Sequence, residues 1–126
     1  DLTTSISGTL PYANLPTITS AQVGSLFGAW LDRTAAAGSG VGNIFQATTD
    51  GFVVAFANVT INQTLSGYTD SNPSPNTRRC FSGSAITGTV FGGWTMPVRK
   101  NDYWFIQMTP SGSMSNFQAY WIPMGS

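Results

Sequence analysis

The sequence predicts an all-β domain, an antiparallel sandwich or barrel, and three observations point there. Fourteen Gly and seven Pro are spread so evenly that few stretches escape one for more than ten residues. Either residue inside a helix is costly, about 1 kcal/mol for Gly and about 3 for Pro. The aromatic residues, 13% of the chain, gather in short β-prone runs. Turn signals separate those runs at the intervals expected of a sandwich or barrel.

Taken in order, residues 1–20 carry isolated apolar side chains and no sustained period, too little to bury and order themselves alone. Leu26 to Arg33 reads as a strand, with Ala35-Ala36-Ala37-Gly38-Ser39-Gly40 as its exit loop. The span 29–37 has good helix propensity, but a helix that short is marginal without tertiary support. Asp50-Gly51 is a turn signal. Phe52 to Phe56 is apolar on both faces, as a strand in the middle of a sandwich would be. From Ala57 the pattern alternates, Val59 and Ile61 one way, Asn58, Thr60 and Asn62 the other. Ala85 to Phe91 reads as a strand with Ile86 and Val90 on one face and Gly88 at a bulge or close approach. Pro97 to Asp102 reads as a tight turn in which Asn101 takes a left-handed conformation. Tyr103 to Met108 and Phe117 to Ile122 are densely aromatic strands, with Pro110 to Ser113 as a hairpin loop between them. Trp30, Trp104 and Trp121 fall within strand patterns and are expected in the core or at an interface.

The 126 residues amount to one domain, able to bury one modest core. No run approaches the roughly 18 apolar residues of a membrane span, and no leader pattern opens the chain. A soluble domain is expected, and the start at Asp1 in turn-rich sequence suggests a piece of a longer protein. Charge narrows the chemistry. Only 8% of residues are charged, against about a quarter in an ordinary domain. Such a surface lacks the clustered Lys and Arg that nucleic acid or an anionic membrane demands.

With no His, neither a Ser–His–Asp triad nor a Cys–His pair can form, and no His-ligated metal site is possible. Cys80 is the single cysteine, so there is no internal disulfide and no thiolate cluster for zinc. It reads as a small packed residue or, if Arg78 and Arg79 lower its pKa, as a reactive thiol. Asp32, Asp50, Asp70 and Asp102 offer no spacing that singles out a carboxylate pair for glycoside cleavage. A non-enzymatic protein without cofactor or metal is therefore expected. Asn58-Val59-Thr60 and Asn62-Gln63-Thr64 match the N-glycosylation acceptor pattern and are read as chance features of a Thr- and Asn-rich strand.

The segment Ser7-Gly8-Thr9-Leu10-Pro11-Tyr12-Ala13-Asn14-Leu15-Pro16 resembles a phrase that recurs in bacteriophage fibre stalks just before a head domain. Residues 50–55, Gly67-Tyr68-Thr69-Asp70, residues 96–104 and residues 120–125 are similar to phrases in the C-terminal tips of phage and prophage tail fibres. Together they cover about a third of the chain, and their order is more specific than any one of them. Asn101 stands where similar sequences tend to carry Gly, and both residues tolerate the same turn. The resemblance implies a homotrimer of jelly-roll-like β-sandwich knobs (residues 21–126), with residues 1–20 as a stalk along the threefold axis. It further implies a virion protein at the distal tip of a tail fibre, binding a bacterial surface glycan or outer-membrane protein. A bacterial adhesin or lectin at the cell surface, or a structural trimerisation cap, are the alternatives.

Fibre tips vary most where they bind, so binding candidates come from residue chemistry. The longest polar stretch, Ser66 to Ser84, holds Tyr68, Asp70, Asn72 and Arg78, the aromatic, carboxylate, amide and guanidinium groups that grip sugar hydroxyls. Pro73 and Pro75 stiffen it. An ordinary solvated loop, with Asp70 paired to Arg78 or Arg79, is the plain reading. Trp94, after Gly92-Gly93 in an expected turn, is either exposed for stacking on a sugar ring or folded back over the core. Arg99 and Lys100 form a compact positive pair, read as a solvated hairpin tip or a contact to lipopolysaccharide phosphate.

Overall fold

The computed structural model describes residues 25–37, 42–111 and 114–125. The expected stalk, residues 1–20, lies outside the described residues. Among the described residues eight strands form: β1 Leu31–Asp32, β2 Phe45–Gln46, β3 Gly51–Val59, β4 Thr64–Asp70, β5 Arg78–Gly83, β6 Val90–Val98, β7 Tyr103–Thr109 and β8 Gln118–Pro123. A helical turn, α1 Thr34–Ala37, follows β1. Every strand pairing is antiparallel. The strands make two four-stranded sheets, β1-β8-β3-β6 and β2-β7-β4-β5, a β-sandwich. Only β4 and β5 are joined as a hairpin within one sheet, and every other connection crosses between the two.

Period-two patterning builds the core. In β3, Val53, Ala55, Ala57 and Val59 are buried while Phe52, Val54, Phe56 and Asn58 face outward. Opposite them β7 buries Trp104, Ile106 and Met108. Leu65, Met96 and Ala119 complete the layer, all at 0% exposure. Burying each large side chain contributes about 1.5–3 kcal/mol. Trp104 ties the sheets together: it stacks on Phe45 at 4.5 Å between ring centroids and on Trp121 of the other sheet at 6.0 Å.

The strand expected over 26–33 shrinks to β1 and a single bridge from Phe27 to Met124. The remainder is used otherwise: the Asp32 carboxylate accepts the Thr34 N–H at 2.8 Å and caps α1, where an exit loop was expected. The Thr34 side-chain hydroxyl and, after it, this backbone N–H hold the Asp32 carboxyl below its ordinary pKa. Residues 85–88 are bends, and the strand expected there begins only at Val90. Gly92-Gly93-Trp94 is no turn but the middle of β6. A Cβ on Gly92 would stand 2.6 Å from Ser82 Oγ and 2.8 Å from Val59 Cγ2, so the glycine serves close packing rather than a reversal. Ile61 lies in the turn between β3 and β4, where Asn62 takes φ 69°. Of the turn expected over 97–102, Pro97 and Val98 belong to β6; the reversal falls at 99–102 with Asn101 at φ 73°, as expected, and it is a corner between sheets. The connection from β7 to β8 also changes sheet and is no hairpin; Gly112 and Ser113 lie outside the described residues. Among the described residues, no helix is long and apolar enough to cross a membrane.

Candidate functional site

The stretch expected as one long polar loop is mostly sheet: β4 and β5 take its two flanks and leave a loop at 71–77. Two Asx turns build that loop. Asp70 Oδ1 accepts the Asn72 N–H at 2.8 Å, and Oδ2 accepts those of Asn76 at 2.9 Å and Thr77 at 3.0 Å. Asn72 Oδ1 in turn accepts the Ser74 N–H at 2.9 Å. Desolvation pushes the Asp70 pKa up, but the donors from Asn72, Asn76 and Thr77 outweigh it and hold the carboxyl below its ordinary value. Asp70 thus pairs with backbone, not with Arg78 or Arg79, and both Asp70 and Asn72 shape the loop.

Tyr68 and Arg78 stand on the outer face of β2-β7-β4-β5. Tyr68 is opposite Phe105 on one side and opposite Arg78 on the other. The Tyr68 and Phe105 rings stack at 4.7 Å with 9° between planes. The Arg78 guanidinium lies 4.6 Å over the exposed Phe81 ring. The row Phe105–Tyr68–Arg78, with Phe81 beside it, is an aromatic and cationic platform on a rigid sheet. Phe105 and Phe81 were absent from the sequence candidates, although the alternation of Tyr103, Phe105 and Gln107 against Trp104, Ile106 and Met108 was a usable signal.

Trp94 is not part of this platform. It packs inward over Gly67, and its indole N–H donates to the Leu65 carbonyl at 3.0 Å, satisfying the one polar group of a half-buried ring. Arg99 is exposed and pairs with Asp102 at 3.0 Å, while the Lys100 N–H donates to Asp50 Oδ1 at 2.7 Å. The Cys80 thiol is half-buried, and burial raises its pKa; neighbouring arginines do not activate it.

The other sheet also has an apolar outer face. Phe91 is 92% exposed and Trp30 59% exposed. Trp30 meets Tyr120 edge-on at 5.6 Å, Tyr120 stacks with Phe56 at 6.5 Å, and Phe27 touches Phe52 at 5.9 Å. Asn58 lies opposite Phe91 in register, and its Oδ1 is buried without a hydrogen-bond partner among the described residues. Among the described residues, no cluster of three or more metal-ligating side chains occurs. No family model, curated protein or solved structure matches the chain.

Proposed function

We propose that this chain is the receptor-binding tip of a trimeric bacteriophage tail fibre, a non-enzymatic module that attaches to a glycan or outer-membrane protein of the bacterial surface. The observation that carries the reading is the Tyr68–Phe105 stack with Arg78 in the same row. Aromatic rings offer dispersion contact to the C–H faces of a sugar or to apolar protein groups, and a guanidinium supplies fixed donors. Such groups dominate binding energy at interfaces. Holding them on strands, beside a loop already ordered by Asp70 and Asn72, lowers the entropy lost on binding. The strand order, with its single in-sheet hairpin, supports a jelly roll. The fibre-like phrases support placing the domain at a fibre tip.

Three copies on one axis turn weak single-site contacts into avidity. The aromatic outer face of β1-β8-β3-β6 supports self-association, since a contiguous exposed apolar face marks an interaction surface. The same face favours a second reading, a trimerisation cap that binds no target. Adsorption to host cells and binding to a glycan array separate the two, because a cap retains no target. Arg78→Ala is the clean variant: its side chain is exposed, whereas losing the Tyr68 stack costs about 0.5–1.5 kcal/mol of stability. Adsorption is expected to fall at least tenfold in Arg78→Ala with an unchanged melting temperature. Wild-type adsorption in that variant and in Tyr68→Ala would remove this face from the function.

A further inference from the structure

Arg78 and Arg79 are sequence neighbours with different surroundings, and a β-bulge separates them. In the β4–β5 ladder Gly67 pairs with Cys80 and Tyr68 with Arg78, so Arg79 has no partner of its own. The extra residue keeps Arg78 on the outer platform and releases Arg79 from strict alternation. Bulges commonly re-aim a side chain next to a site. Arg79 lines a cavity of about 550 Å³ beside Cys80, at one end of the sandwich where the edge strands β5 and β6 meet. That volume lies within the range of about 300–1,000 Å³ typical of small-molecule sites.

The lining is mainly apolar, with Pro97, Val98 and Met124 contributing, and its cations are Arg79 and Arg99. Of the cavity's two carboxylates, Asp102 is ion-paired, whereas Asp50 is bonded by a backbone N–H and keeps its charge. Asp102 is held by Arg99 Nε at 3.0 Å, and Asp50 Oδ1 takes the Lys100 N–H. Arg79 has no carboxylate partner among the described residues. Its Nε donates weakly to the Thr69 carbonyl at 3.4 Å, a bond that orients the guanidinium and leaves its terminal N–H groups for a ligand. The lining is formally neutral, two arginines against two aspartates, but the Arg79 guanidinium keeps free N–H donors beside apolar surface, an arrangement that suits an anionic group on an apolar body. Planar guanidinium grips carboxylate and phosphate alike in a bidentate manner.

We infer that this cavity binds a small organic anion, a carboxylate or phosphate ester on an apolar body, with Arg79 as the anchor and Arg99 assisting from its place on Asp102. The inference does not rest on the fibre-tip reading, since the cavity is separate from the Tyr68–Arg78 platform and either site can fail alone. The test is titration of the ¹⁵N-labelled full chain with benzoate and with phenyl phosphate, and with benzyl alcohol as the neutral counterpart. Saturable shifts at the Thr69, Cys80 and Val98 amides are expected from at least one anion, with benzyl alcohol at least tenfold weaker. Arg79→Gln is expected to weaken the anion at least tenfold, and Arg78→Gln by no more than twofold. Which anion saturates first assigns carboxylate or phosphate. Binding of benzyl alcohol as tight as that of the anions, equal affinity in Arg79→Gln, or no saturable shift would overturn the proposal.

Discussion

Asp70 illustrates how one carboxylate organises a surface loop without an ion pair. It answers three backbone N–H groups, and they hold its pKa below the ordinary value against the desolvation that opposes them. Because the folded pKa is depressed, the stabilisation is fully present above the unfolded value of about 3.8 and is lost as pH falls through the lower folded value. Asp32 is shifted in the same direction by Thr34 and adds to the same acid limb. Melting temperatures followed from pH 7 downward are therefore expected to hold steady and then fall below about pH 4. Asp70→Asn is expected to lower the neutral-pH melting temperature and to flatten, without abolishing, the acid decline. An acid limb as steep as wild type would show that Asp70 contributes nothing to it.

At the scale of the element, close packing explains what simple punctuation rules misread. Gly92-Gly93 reads as a turn, yet β6 runs straight through it because small residues let Ser82 and Val59 approach. Gly67 does the same work across the sandwich. A Cβ there would lie 2.6 Å from Trp94 Cη2 and 2.9 Å from Cζ2. Trp94 cannot easily yield, since its indole N–H is bonded to the Leu65 carbonyl. Gly67→Ala is expected to cost about 1–3 kcal/mol, the usual range for overpacking, as a shift in urea midpoint with unchanged slope. Near-neutral behaviour would mean that Trp94 has room to move. The bulge at Arg79 is the other element-scale device, and no spacing rule announces it, since its cause lies in the pairing of two strands.

For the whole molecule, the decisive feature is an outer sheet face rich in exposed aromatics. A one-sided antiparallel sheet ordinarily turns polar residues to water, but here Phe56, Phe91 and Trp30 occupy that side. A second and third copy of the chain would cover them, in keeping with the proposed trimer. Light scattering of the purified chain at micromolar concentration is expected to give a trimer mass. Phe91→Asp is expected to reduce it toward the monomer while the β spectrum persists, because Phe91 makes little contact within its own chain. A monomeric wild-type chain would leave the face to another partner and count against the trimer.

The composition and the period-two runs by themselves determined the all-β class, the alternation at the end of β3, the aromatic strands β7 and β8, and the left-handed Asn101; that Phe52, Val54 and Phe56 turn outward was not legible in a run apolar on both faces. The features they determined depend on local backbone preference and on alternation, which neighbouring residues specify. They also pointed to Tyr68 and Arg78, because aromatic and guanidinium groups are recognisable wherever they stand. Only the tertiary structure decided that Trp94 folds inward, that Asp70 and Asn72 bond their own loop, and that Arg78 and Arg79 part company. Each of those outcomes is set by which strand lies alongside, and strand neighbours in this sandwich are distant in sequence: β3 pairs with β6 and β8, not with the adjacent β4.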